Sequence, residues 1–137
     1  MGTLDELDAF LALCETTLAA HSGVVTERIA EVRQMLFRLM PALAGLPSES
    51  AGADIAKLEQ WITALETENP IQGFVRNWTR PGAAQLNAAR TICRRAERRL
   101  AAALESENAL VPYLVWLNRL SDLLFLLAIL EERHVKR

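Results

Sequence analysis

Cysteine and histidine are scarce: two of each in 137 residues, with no Cys-x-x-Cys and no paired-histidine spacing. A zinc site and a disulfide framework are therefore not expected, and Cys14 and Cys93 read as small buried side chains in a reducing, cytoplasmic setting. Six glycines and five prolines are too few for a β-rich or disordered chain, and they fall between long apolar-periodic stretches. The opening "MGTLDELDAF" has no basic n-region and no apolar h-region, so no secretory signal is expected there. No long apolar run is free of charge. The most membrane-like one, "LVPYLVWLNRLSDLLFLLAIL", is broken at its centre by Asn118, Arg119, Ser121 and Asp122, which makes bilayer insertion costly and predicts a buried helix instead.

What the chain has in plenty is apolar surface, 51% of residues, enough for one domain over 1–137 with a real core. Thr3-Leu4-Asp5-Glu6 has the form of a capping box and predicts a helix start near residue 4, with Leu4, Leu7, Leu11, Cys14 and Leu18 on one stripe. Ile29, Val32, Leu36, Leu39 and Leu43 repeat the spacing in a second helix. Asp54 is the expected cap of a third, carrying Ile55, Leu58, Ile62 and Leu65 inward until Pro70. A fourth helix is expected over about 83–106, and a fifth opens at Pro112 and runs to about 133. No internal repeat or low-complexity tract occurs. Five helices with short connections predict an all-α, up-and-down bundle. The irregular stretch "IQGFVRNWTRP" carries Phe74 and Trp78, which either plug the end of the bundle or reach over a ligand or neighbouring subunit.

Charge is placed unevenly. Residues 1–75 hold 11 acidic and 4 basic side chains, whereas residues 76–137 hold 6 acidic and 11 basic. Within "LNAARTICRRAERR", arginine stands at 90, 94, 95, 98 and 99, and like charges at i,i+4 repel. Arg90, Arg94 and Arg98 stack along one edge, with Glu97 three residues after Arg94. On the fifth helix, Asn118 and Asp122 lie one turn apart within an apolar repeat, so they are expected to be partly buried and partnered. The short "LESENALVP" connection makes the fourth and fifth helices antiparallel neighbours whose polar groups can meet. A solvated basic face, a nucleic-acid surface and an anionic-ligand site are the three readings. Nucleic acid is disfavoured by the slightly acidic net charge of −2 and the lack of a recognisable binding motif. Guanidinium forks suit phosphate, but spacing alone does not choose between the other two.

Two strings narrow the choice. "ARTICRRAER" and "LNRLSDLLF" strongly resemble the signature segments of the ATP:corrinoid adenosyltransferases of the propanediol-utilisation type, with Trp116 in the place of a tyrosine. "GTLDELDAF" and "LEQWITALE" resemble two further segments of that family, so the likeness runs from Gly2 to about Glu131. It implies a five-helix bundle assembled as a homotrimer with sites between subunits, and no nucleic-acid or membrane partner. The implied ligands are a cobalamin-type corrinoid and ATP with Mg2+. Co(I) attacks the 5′ carbon of ATP and expels triphosphate. By matching position, Arg94, Arg98, Glu97 and Asn118 would attend the nucleotide, and Arg90 would pair with Asp5 of a neighbouring chain. Phe74, sixteen residues before Arg90, would be the aromatic that displaces the corrinoid's lower ligand, with Trp78 and Asp122 beside the corrinoid.

The sequence also departs from the family pattern. Family sequences open with a T-x-x-G-D-x-G-T-T loop that wraps the triphosphate with backbone N–H groups, and this sequence begins at the segment that follows it. The family's [IVL]-L-P-G-G-S after the aromatic is "VRNWTR" here, putting Trp78-Thr79 where a glycine pair lets backbone approach a ligand, and the family's histidine in L-H-x-A-R is Asn87. The expected function is therefore a corrinoid- or nucleotide-binding member with weakened or lost adenosyl transfer. An active adenosyltransferase and a trimer that binds nothing are the alternatives.

Overall fold

The computed structural model describes residues 2–18, 23–43, 51–70, 77–103 and 110–133. It is all-α: α1 (Gly2–Leu18), α2 (Gly23–Leu43), α3 (Ala51–Glu68), α4 (Pro81–Ala103) and α5 (Val111–Glu132), with no strand among the described residues. The expected stripes form the core. Leu4, Leu7, Leu11, Cys14 and Leu18 of α1 meet Ile29, Val32, Leu36 and Leu39 of α2, and Leu58, Trp61 and Leu65 of α3 join the same cluster. Ile55 and Ile62 are only half-buried beside it.

Contacts between helices fix the directions. Leu18 and Glu131 both lie against Gly82, Glu6 pairs with Arg95, and the Cys93 thiol donates to the Leu117 carbonyl at 3.2 Å. α4 therefore runs antiparallel to both α1 and α5. Arg33 of α2 donates to Asp8 at 2.9 Å and to Glu15 at 2.6 Å, clasping two turns of α1. These hydrogen bonds, to Asp8 first and Glu15 second, raise an already high arginine pKa further, so the guanidinium stays charged. Arg38 reaches Asp54 at 3.0 Å and Arg28 sits 4.7 Å over the Trp61 ring, which bring α3 back along α2. The result is the expected up-and-down order.

α5 is apolar on nearly every side and is the central element, packed against α4, α3 and α2. Its 22 residues are long enough to cross a membrane, and its most apolar 18-residue window has mean hydropathy 1.6, but 61% of that window is buried inside the bundle. α4 presents mainly small side chains to its neighbours (Gly82, Ala83, Ala89, Cys93, Ala96), which lets the helix axes come close.

Two predicted caps act elsewhere. Thr3 lies inside α1, buried, and its hydroxyl accepts a hydrogen bond from Arg99. Asp54 sits in the first turn of α3, which starts at Ala51, and its carboxylate accepts from Arg38. In both cases an arginine on another helix claims the oxygen that a capping role needs. α4 begins at Pro81 rather than 83, with proline in its first turn where the missing N–H is harmless.

Candidate functional site

The five arginines of α4 divide between two faces. Arg95 pairs with Glu6, and Arg99 Nη1 donates to the Thr3 hydroxyl at 2.6 Å, so both serve the α1–α4 seam. Arg90, Arg94 and Arg98 form the other edge. Arg94 leaves half its side chain in solvent, 3.9 Å from Glu97 on the same helix, and Arg98 is exposed with no ion pair among the described residues. Arg90 is half-buried. Its Nε donates to Asn87 Oδ1 at 3.0 Å, and its guanidinium carbon stands 5.9 Å from the Phe125 ring centroid.

Polar groups of α5 meet this edge at one level. Asn118 Nδ2 donates to Glu97 Oε2 at 2.9 Å, and Asn118 Oδ1 accepts from Arg119 Nη1 at 2.7 Å. Arg119 in turn donates to Glu59 of α3 at 2.9 Å. A polar chain thus runs Glu59–Arg119–Asn118–Glu97–Arg94 across three helices, with the neutral Asn118 amide bridging the two oppositely charged pairs. Glu97 Oε1 is buried and accepts no hydrogen bond among the described residues, so the carboxylate keeps one acceptor in reserve beside Arg94. Ser121 is buried, and its hydroxyl donates to the Asn118 carbonyl at 2.8 Å. Asp122 does not share the expected burial. It is exposed, because the buried positions around it, Leu120, Ser121, Leu123 and Leu124, turn the other faces of α5 inward.

Arg94, Glu97 and Asn118 are therefore brought together, with Arg98 one turn further along the same edge. Trp78 comes close to Arg90 through Phe125: the two rings meet edge to face, with centroids 6.3 Å apart and planes at 89°. Asp5 is exposed on α1 and forms no ion pair among the described residues, and Arg90 makes its contacts with α4 and α5 of its own chain. No Arg90–Asp5 pair forms within one chain. Phe74 lies outside the described residues.

Phe125 and Glu132 were not foreseen as part of this region. Phe125 closes the "LNRLSDLLF" segment, but a nearly unbroken apolar run hides which ring faces a neighbour. Glu132 accepts from the Thr79 N–H at 2.9 Å, the Arg80 N–H at 3.2 Å and the Thr79 hydroxyl. Nothing in its own helix signals this.

Both cysteines are buried away from chemistry. Burial pushes the Cys14 thiol up to about 12 and raises Cys93 as well. Among the described residues, no three His, Cys, Asp or Glu side chains gather as a metal site. A cavity of about 400 Å³ opens at the α1 N-terminal end, between Leu4, Leu43, Arg99, Leu100 and Leu117. It lies on the Arg95–Arg99 side of α4, away from Arg90 and Trp78.

A family model described as cobalamin adenosyltransferase matches residues 1–131. The corrinoid adenosyltransferase PduO of Citrobacter freundii is 36% identical over 140 residues, covering 96% of this chain and 41% of the relative. The corrinoid adenosyltransferase of Bacillus subtilis is 34% identical over 131 residues, covering 90% of this chain and 68% of that protein. The chain thus spans about two fifths of the length of the PduO relatives from Citrobacter freundii and Salmonella typhimurium. Among solved structures, a variant of the PduO-type ATP:corrinoid adenosyltransferase of Lactobacillus reuteri, complexed with cobalamin and ATP, superimposes with a TM-score of 0.85 at 27% identity. That match covers 96% of this chain and 75% of the other. A second variant of the same enzyme, complexed with ATP, gives 0.85 at 26%. On the match of residues 1–131, the chain belongs to the cobalamin adenosyltransferase family.

Proposed function

We propose that residues 1–137 form a single corrinoid- and nucleotide-binding domain that works as a homotrimer, with ligands between subunits and with adenosyl transfer weakened. The observation that carries the binding is the outward edge of α4. Arg90, Arg94 and Arg98 repeat at i,i+4, turn away from the α1 seam, and meet no carboxylate of another helix among the described residues. Three guanidinium forks in a row, with the Asn118 amide beside the middle one, suit the oxygens of a triphosphate.

In the reaction of this family, the electron pair of Co(I) forms a bond to the 5′ carbon of ATP. The C5′–O bond breaks, and triphosphate leaves with the electron pair of that C–O bond. Negative charge grows on the leaving oxygen, where fixed arginines are worth most. Arg94 and Arg98 would hold the triphosphate, with Asn118 orienting it. Arg90 would face Asp5 of the neighbouring chain. Phe74, Trp78 and Asp122 would border the corrinoid. Mg2+ would travel with the phosphates. Glu97 Oε1 is a hard oxygen of the right chemistry, but the Arg94 guanidinium 3.9 Å away already competes for it.

Two features support weakened transfer. Trp78 stands where related sequences have glycine, and its ring is packed on Phe125, so the backbone there has lost the freedom of a glycine pair. Asn118 and Glu97 are bonded to each other, so a nucleotide must compete for that amide. Displacing a positioned substrate by about 1 Å slows an in-line attack by as much as roughly a hundredfold. The second reading is a fully active ATP:cob(I)alamin adenosyltransferase, favoured by a family match that runs through residue 131.

The deciding experiment combines calorimetric titration of the protein with ATP and with cob(II)alamin and a turnover assay containing ATP, reductant and cobalamin. Binding of either ligand with little adenosylcobalamin formed is the expected result. Sustained turnover establishes the second reading. Failure to bind either compound removes both and leaves a structural assembly.

A further inference from the structure

The chain leaving α3 and entering α4 is tied down by three consecutive residues at the end of α5. Glu132 accepts from the Thr79 N–H at 2.9 Å, the Arg80 N–H at 3.2 Å and the Thr79 hydroxyl. Glu131 takes the Arg80 guanidinium at 3.6 Å, and Arg133 Nη1 donates to the Pro70 carbonyl at 3.1 Å. A carboxylate in the last turn of a helix sits at the negative end of the helix dipole, an unfavourable place for it. Three donors from two adjacent residues of another segment compensate that placement, and they do so bidentately, which fixes orientation as well as distance.

What the clasp holds is informative. Trp78 directly precedes Thr79, and its ring meets the Phe125 ring edge to face. Phe125 and Glu132 are seven residues apart, two turns along the same face of α5. One stripe of α5 therefore grips the backbone at 79–80 and receives the indole at 78. Phe125 is also the ring over which the Arg90 guanidinium sits. The contacts run Glu132, Thr79, Trp78, Phe125, Arg90, all within described residues. A glycine pair would keep the backbone N–H bonds to Glu132 but supplies neither the indole that meets Phe125 nor the hydroxyl of Thr79.

We infer that Glu132 is a positioning residue for Arg90, acting through the 78–80 turn and the Trp78–Phe125 ring pair. Without the clasp, Trp78 is free to leave Phe125, the phenyl ring gains rotamer freedom, and the guanidinium loses the surface that aims it. Only its bond to Asn87 remains. The inference rests on the reading above that Arg90 faces a ligand or a neighbouring chain, and it concerns what aims that side chain.

The test uses the full chain, labelled with ¹⁵N and on a deuterated background. Three indole N–H signals arise from Trp61, Trp78 and Trp116, and the Arg90 Nε–H signal is assigned by its loss in Arg90→Lys. In Glu132→Ala, the Trp78 and Arg90 signals are expected to shift while those of Trp61 and Trp116 stay in place. Because Arg90 would face Asp5 of a neighbouring chain, self-association in sedimentation equilibrium is expected to weaken by up to about fivefold, the size of one lost cation–π contact. Thr79→Val removes one hydrogen bond of the clasp and gives the same pair of shifts at smaller amplitude, which keeps the test valid if Glu132→Ala does not fold. Glu132→Gln, which can still accept from the backbone, is expected to fall between the two. Unmoved Trp78 and Arg90 signals in both Thr79→Val and Glu132→Ala overturn the inference. So does unchanged self-association in Glu132→Ala when the parent associates. If the parent is monomeric, the reading of an assembly with Arg90 at its interface fails, and the spectra alone decide the role of Glu132.

Discussion

Glu132 shows how a single carboxylate is pulled in two directions. Burial acts to raise its pKa, but the hydrogen bonds from the Thr79 hydroxyl, the Thr79 N–H and the Arg80 N–H, together with the Arg80 charge, outweigh it and lower the pKa from its ordinary 4.5. A carboxyl lowered in the folded state adds stability that is fully present above its unfolded value and is lost as pH falls through the folded one. The Arg80 guanidinium and the Glu131 carboxylate are the other charged groups beside it. The Trp78 indole signal is therefore expected to hold constant from pH 8 to 5 and to move only below 4.5, and Glu132→Gln should abolish that movement. A titration centred near neutral pH would assign it to another group. The cysteines give a complementary prediction. Cys14 is raised to about 12 by burial, and Cys93 is raised by burial and bonded to the Leu117 carbonyl. The thiolate fraction at Cys14 is then on the order of 10⁻⁴ at pH 8, so native protein should leave a disulfide reagent unconsumed over minutes and react with two equivalents in denaturant. Rapid native reaction would show that α1 or α4 opens locally.

At the scale of helices, packing decides what sequence patterns leave open. Gly82, in the first turn of α4, is where α1, α4 and α5 converge. A Cβ there would stand 2.8 Å from Leu18 Cδ2, with Glu131 atoms at 3.2 and 3.3 Å. Leu18 is fully buried and Glu131 nearly so, so neither side chain can swing into solvent. Gly82→Ala gains up to about 1 kcal/mol in helix propensity and loses about 1–3 kcal/mol to overpacking. A lowered urea midpoint at unchanged slope is the expected result, and a raised midpoint would mean that the seam has slack. Much of this architecture was legible, because apolar residues at three-four spacing leave little freedom in which face turns inward. The helix starts at Thr3 and Asp54 were misread for a physical reason. A hydroxyl or carboxylate near a predicted start looks like a cap until a distant Arg99 or Arg38 takes its lone pairs, and that competition is tertiary. The outward set Arg90, Arg94 and Arg98 was legible from i,i+4 spacing alone. The Phe125 and Glu132 contacts were not, because one is hidden in an apolar run and the other depends on a loop with no periodicity.

For the molecule as a whole, the uneven charge of its two halves is only partly neutralised inside one chain. Arg95 with Glu6 joins the basic half to the acidic one along the α1–α4 seam, and Arg119 with Glu59 does so between α5 and α3. Asp5 and Arg98 are left exposed without ion pairs among the described residues, and Arg90 makes no ion pair there either. A threefold assembly that pairs Asp5 of one chain with Arg90 of the next would use charge that the single chain leaves over. Arg90→Ala and Asp5→Ala should then each weaken self-association by up to about fivefold in sedimentation equilibrium, the range for a partly exposed ion pair of up to about 1 kcal/mol. Both effects should shrink as salt rises from 50 to 500 mM, since partly exposed pairs are screened. Loss of a packing contact shows no such salt dependence. The double variant distinguishes direct pairing from two separate effects: if the residues meet, removing both costs little more than removing one, because each single change already breaks the pair. Additive losses would mean that Asp5 and Arg90 act at different places. The outward arginine edge would then be left to the nucleotide alone.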